Sequence, residues 1–181
     1  MNDDDTIDRR RAAEHEAGHA TVAGVLCWKF GKSQSIPLPE PINDITEVQL
    51  GSVEAYLQRT ETSDPKFEKT WVGSTTYRHM DLNELDKATI CVAGCVAEHL
   101  VDDEGISSGE IVEFWELQIS EPSDTDYSGI PDSWEVRRTA VEQALQLLKD
   151  HRTLFDLVVR QLERNKLITN GELKALIANQ N

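Results

Sequence analysis

Two histidines four residues apart, His15 and His19, separated by Glu16, Ala17 and Gly18, constrain this chain more than any other feature. An α-helix turns once in 3.6 residues, so on a helix both imidazoles stand on one face. Each can then offer a ring nitrogen to a single metal ion at about 2.0–2.1 Å. Glu16 sits beside that face, where its carboxylate is placed to accept a proton from water rather than to ligate the metal. The flanking sequence supports the helix, which is expected from about Asp8 to Trp28 with an apolar continuation through Val22, Val25 and Leu26. Glycine inside a helix costs roughly 1 kcal/mol relative to alanine. Gly18 therefore predicts that a second element packs close against Ala17 and Gly18.

A candidate for that element lies further on. Asp81-Leu-Asn-Glu84 has the form of a capping box, and Leu85, Thr89, Val92, Val96 and Leu100 continue at helical spacing. This second helix carries Ala93, Gly94 and Ala97, small residues suited to tight packing on the first. Between the two helices the chain reads differently. Ile36-Pro37-Leu38-Pro39-Glu40-Pro41 is a connector that fits neither a helix nor a central strand. Ile45 to Leu50 and Val53 to Gln58, joined by Gly51-Ser52, read as a short hairpin or two edge strands. Asp64-Pro65 reads as a helix start, with Phe67, Trp71 and Val72 on its buried side.

From Asp102 to Asp132 the sequence is acidic and irregular, with a strand-like Ile111-Val112-Glu113-Phe114-Trp115. Helix is expected again from Ser133 towards Lys149 and from about Arg152 to Asn165. Thr169-Asn-Gly-Glu172 is a further capping box, with Ile168 and Leu173 as its hydrophobic staple. The fold class is thus mainly α (α+β), a single domain over residues 1–181. Its small β-hairpin or sheet follows the first helix, an acidic irregular segment spans 102–132, and C-terminal helices occupy 133–181.

Composition narrows the partners. A chain of 181 residues can bury one sizeable core. Its net charge of −15, from 33 acidic and 18 basic residues, argues against nucleic-acid phosphates and anionic membranes as partners. No apolar stretch follows Arg9-Arg10-Arg11 as a signal peptide requires. The longest apolar run, Ile90 to Val101, is interrupted by Glu98 and His99 and is too short to span a bilayer. Cys27, Cys91 and Cys95 are odd in number and lack CxxC spacing, which suits a reducing cytoplasm, with Cys91 and Cys95 as small core residues.

A catalytic zinc site takes three protein ligands and keeps one position open. His79, His99 and His151 fall in no second cluster, so chemistry leaves several carboxylates for the third place: Glu98 on the second helix, and Glu113, Asp124 and Asp126 in the acidic segment.

His15-Glu-Ala-Gly-His-Ala20 resembles the catalytic helix of the FtsH-type ATP-dependent zinc metalloprotease family. Ile90-Cys-Val-Ala-Gly-Cys-Val-Ala-Glu98 is similar to that family's second core helix, with its Gly-x-x-Ala-Glu signature. Ala144 to Leu148, Arg152, Leu157 and Leu162 to Leu173 resemble its closing helices, so the resemblance covers nearly the whole chain. It implies a helical zinc metallopeptidase domain, stand-alone and shortened, without transmembrane segment, P-loop or ATPase domain, and ATP-independent by itself. Zinc would be held by His15, His19 and an aspartate at the start of a helix. Within Ser123-Asp-Thr-Asp-Tyr127 the best match is Asp126, and Ser107-Ser108-Gly109 offers a competing register that favours Glu113.

The resemblance makes Glu16 the catalytic base and a peptide or unfolded protein the substrate. It puts the family's substrate-pairing edge strand within Ser33 to Leu57. Two other readings accompany it: a zinc-binding or regulatory module of the same fold without turnover, and a repressor-cleaving regulatory metallopeptidase in which Glu98 is the ligand.

Overall fold

The computed structural model describes residues 3–29, 35–42, 45–49, 53–60, 70–77, 82–117, 126, 130 and 133–180. They are mostly helical. Helix α1 (Asp3–Gly24) continues into a π-helical turn (Val25–Lys29), so the predicted first helix starts earlier than expected and widens at its end. From Ala13 to Cys27 every residue except His15 is buried. A helix enclosed on all sides is the centre of its domain, and α1 has that place here.

Helix α2 (Glu84–Asp102) crosses α1 at small residues on both sides. A Cβ on Gly18 would collide with the Ala93 carbonyl oxygen and come within 2.7 Å of the Ala97 Cβ. The two backbones therefore meet at Gly18, as the small residues predict. The α2 capping box forms two residues later than expected, with Asn83 as the cap and Asp86 as its reciprocal partner. Both side chains there have the geometry of the motif, whereas Glu84 is already the first helical residue.

Helix α3 (Ser108–Glu116) corrects the strand-like reading of Ile111–Trp115 within the segment 102–132 that was otherwise expected to be irregular. Ser107 caps it, accepting from the Glu110 amide, and the Glu110 carboxylate accepts the Ser107 N–H at 2.9 Å. Ile111, Val112 and Trp115 then fall on one buried face, so β-branched content yields to a helix start and a periodic face.

Helices α4 (Trp134–Asp150) and α5 (Arg152–Asn165) match the expected spans and pack on α2 and α1 respectively. Lys166, left-handed at φ 62°, ends α5. Helix α6 (Asn170–Ala178) opens with the predicted Thr169/Glu172 box, and Ile168 and Leu173 beside it are both fully buried.

The strands are β1 (Ser35–Ile42), β2 (Ile45–Gln49), β3 (Val53–Thr60), β4 (Thr70–Tyr77) and β5 (Leu167–Ile168). The segments 45–50 and 53–58, expected as a short hairpin or two edge strands, do not pair with each other among the described residues. β2 pairs with β1, and β3 pairs antiparallel with β4 on one side and β5 on the other. Among the described residues β1 and β2 form a two-stranded ladder in which Pro37 stands opposite Glu47, and the register shifts between Pro37 and Ile42, the stretch that holds Pro39 and Pro41.

Residues 70–77 form a strand where a helix beginning at Asp64-Pro65 was expected. Trp71 is buried while Val72 is exposed, the two-residue alternation of a half-buried strand. Asp64, Pro65 and Phe67 lie outside the described residues. Arg9 and Lys166 approach the Trp71 ring at 5.7 and 5.0 Å, tying β4 to α1 and to the end of α5. Among the described residues no helix is long and apolar enough to cross a membrane.

Candidate metal centre

The one partly exposed residue in the buried part of α1 is His15, and it stands at the centre of a cluster. His15 Nε2 and His19 Nε2 are 3.0 Å apart. Asp126, itself helical, brings Oδ2 to 3.4 Å from His15 Nε2 and Oδ1 to 3.4 Å from His19 Nε2. Among the described residues no other group of three or more His, Cys, Asp or Glu side chains converges in this way.

The opposite ring nitrogens are held in place. His15 Nδ1 lies 2.6 Å from Glu98 Oε1, and His19 Nδ1 lies 2.7 Å from the Ile90 carbonyl oxygen. Each of these partners accepts, so each Nδ1 is the donor, and in the neutral rings both Nε2 lone pairs turn toward Asp126. A carboxylate or carbonyl on the far nitrogen is the usual support of a metal-binding histidine.

Two observations test whether a zinc ion fits. Four-coordinate tetrahedral zinc with bonds of 2.0–2.1 Å separates its ligand atoms by about 3.3 Å; the two Nε2 atoms are 3.0 Å apart, each has a different Asp126 oxygen at 3.4 Å, and with one atom taken from each residue the group lies within 4.8 Å. The second is Gly94 of α2. A Cβ there would lie 2.5 Å from His15 Nε2 and collide with His19 Nε2. Glycine leaves open the space beside the two nitrogens that any side chain would fill. Two imidazoles and one carboxylate also make up a three-ligand catalytic zinc set.

Without metal, charge sets the state of the group. Burial alone would lower the His15 pKa, but hydrogen bonds to Asp126 and Glu98 outweigh it and raise His15 to about 10. For Asp126 burial would raise the value, and its contacts with His15 and His19 hold it well below the usual carboxylate range. A proton on His15 thus stands in the place of a cation, between two carboxylates.

Glu16 points to the sheet. It is 6% exposed, and its Oε2 accepts a 2.7 Å hydrogen bond from the Thr75 hydroxyl of β4. Gly73, two residues back on the same strand, lies so close that a Cβ would overlap the Glu16 side chain and reach 2.6 Å from Oε1. At the far end of β4 the Tyr77 hydroxyl is 3.9 Å from Cys91 Sγ. Burial pushes up both the phenol and the thiol. Near the start of the strand, Asp8 accepts the Trp71 backbone N–H at 2.9 Å.

The structure thus brings together His15, His19 and Asp126, with Glu16 on the β4 side of α1. Glu98, the third ligand of one reading, meets the Nδ1 side of His15 and is not in the group formed by His15, His19 and Asp126. Glu113 is exposed on α3 and takes no part in the cluster. Asp124 lies outside the described residues. His99 stacks on Phe114 with ring centroids 5.4 Å apart, as befits a lone packing histidine.

Sequence reasoning saw Gly94 only as a packing residue and missed Gly73, Thr75 and the Ile90 carbonyl. Gly94 stood inside the Gly-x-x-Ala-Glu signature, whereas Gly73 and Thr75 carried no signal once their segment was read as helix. No protein-family model matches the chain, and comparison with curated proteins finds no match.

Proposed function

We propose that this chain is a zinc metallopeptidase domain of the FtsH type that hydrolyses flexible or unfolded polypeptide. The observation that carries the reading is the convergence of His15, His19 and Asp126 within 4.8 Å, on a helix whose next carboxylate, Glu16, is not among the converging groups and is held by Thr75. His15, His19 and Asp126 would hold the ion. Bound there, zinc supplies Lewis acidity, polarising the scissile carbonyl and making water a better nucleophile at neutral pH.

The chain's own residues supply the rest. Glu98 and the Ile90 carbonyl fix the imidazole orientations. Glu16 would accept the proton of the attacking water and pass it to the leaving amine. Among the described residues β4 ends its sheet on one side. Trp71 donates outward to Asp8, and by strand alternation the backbone groups of Gly73 and Thr75 face the same way. An extended peptide pairing along that edge would run beside the strand that holds Glu16 through Thr75, so we assign β4 as the substrate strand, later in the chain than the 33–57 segment expected from the resemblance.

Zinc-loaded protein is expected to cleave an unfolded protein or a peptide library, with turnover abolished by a chelator and by Glu16→Gln. Identical behaviour of wild type and Glu16→Gln, with zinc bound to both, refutes the proposal in favour of a binding module.

A further inference from the structure

We propose that Thr75 is the positioning residue of this site, fixing the Glu16 carboxylate to strand β4 in the orientation from which it works. The inference rests on the peptidase reading for its catalytic consequence, while the Thr75–Glu16 contact itself stands on the geometry. The Thr75 hydroxyl is 2.7 Å from Glu16 Oε2 and 3.3 Å from the Glu16 backbone carbonyl, so the strand reaches both ends of one residue of α1. A hydroxyl has one proton to give, and the shorter contact to the charged acceptor takes it.

A glutamate side chain has three torsions to fix, and an unanchored one gives up that freedom each time it enters a productive geometry. Three things remove the freedom beforehand here. The hydroxyl holds one oxygen, the bare backbone at Gly73 lies against the Cδ and the other oxygen, and little of the residue is exposed. Because Thr75 belongs to β4, a peptide lying on that strand and the base that serves it are referenced to the same element. Misplacing a catalytic group by about 1 Å costs on the order of 100-fold in rate, which sets the scale of what the contact protects.

A purely structural role would be to satisfy a buried carboxylate, and the test separates the two. Thr75→Val removes the hydroxyl at nearly constant shape, and Thr75→Ser keeps it. With zinc content unchanged in both, Thr75→Val is expected to lower kcat about ten- to hundred-fold with KM within about twofold, a loss matching one charge-assisted hydrogen bond. Thr75→Ser is expected to restore kcat to within about threefold of wild type. Gly73→Ala, which drives a methyl into Glu16 while leaving Thr75 in place, is expected to lower kcat in the same way.

Crystal structures of wild type and Thr75→Val give a readout that does not need turnover. One Glu16 conformer bonded to Thr75 in wild type, and a displaced or multiple Glu16 in the variant, is the expected result. An unmoved single conformer in both overturns the proposal, as does an active wild type whose kcat survives Thr75→Val or is not rescued by serine. A wild type that cleaves nothing while Glu16 loses its place in Thr75→Val supports the positioning contact and overturns the peptidase reading alone.

Discussion

Replacing Gly94 by alanine adds a single methyl at the point where α2 meets both ligand histidines. Its ideal position is 2.5 Å from His15 Nε2 and overlaps His19 Nε2, while real Cβ contacts essentially never fall below 3.0 Å. The imidazoles must retreat by roughly half an ångström, and metal sites tolerate ligand displacements of about 0.2 Å. Zinc affinity is therefore expected to fall by at least about 100-fold, at or beyond the upper end of what loss of a supporting partner costs.

Stability of the metal-free protein is expected to fall by no more than about 2 kcal/mol, because alanine gains about 1 kcal/mol of helix propensity against an overpacking cost of about 1–3 kcal/mol. The signature is a split between the two quantities. At a zinc concentration of about 1,000 times the wild-type Kd, zinc stabilises the wild type by about 4.1 kcal/mol and a variant weakened 100-fold by only about 1.4 kcal/mol. Thermal melts with and without zinc, together with competition against a chromophoric chelator, measure both. A Gly94→Ala protein whose zinc affinity stays within threefold of wild type refutes the packing argument.

Other consequences concern the support of the ligands and the crossing of the helices. Glu98→Ala is expected to weaken zinc about 10- to 100-fold by freeing the His15 ring, read by the same chelator competition. In the metal-free protein, His15 is raised from 6.5 to about 10, so its contribution to stability is complete below about pH 6.5 and is lost as pH rises toward 10. Asp126, depressed from 3.8, contributes above that value and loses its contribution as pH falls below it. Melts of the chelated protein should thus show a declining Tm from pH 6.5 to 10, and a flat profile contradicts the assignment. Gly18→Val forces apart α1 and α2 at the Ala93 carbonyl, a backbone atom that cannot swing away. It is expected to destabilise the protein by about 1–3 kcal/mol or more in denaturant titrations.

What could be read from the sequence was what neighbouring residues decide. The Thr169/Glu172 box, the spans of α4 and α5 and the His15–His19 face are local patterns, and each is present in the structure. Ile111–Trp115 misled because β-branched and aromatic residues suggest a strand when the Ser107/Glu110 cap before them goes unread. Thr70–Tyr77 misled because Pro65 suggested a helix start, and nothing nearby reports that β3 pairs with β4 and also with residues 167–168.

The site divides along the same line. His15, Glu16 and His19 follow from spacing. Asp126 was one of several open carboxylates and was singled out only through resemblance, because the approach of a distant carboxylate is a tertiary fact. Glu98 was noticed for its chemistry but not for its role, since that role depends on which nitrogen of His15 it faces where α1 and α2 cross.

Anomalous scattering at the zinc absorption edge from a zinc-loaded crystal tests the central claim most directly. The expected result is one peak, bonded at about 2.0–2.2 Å to His15 Nε2, His19 Nε2 and an Asp126 oxygen, with Glu98 still on His15 Nδ1. No peak between the two histidines, or a peak that takes Glu98 or Glu113 as ligand in place of Asp126, contradicts it.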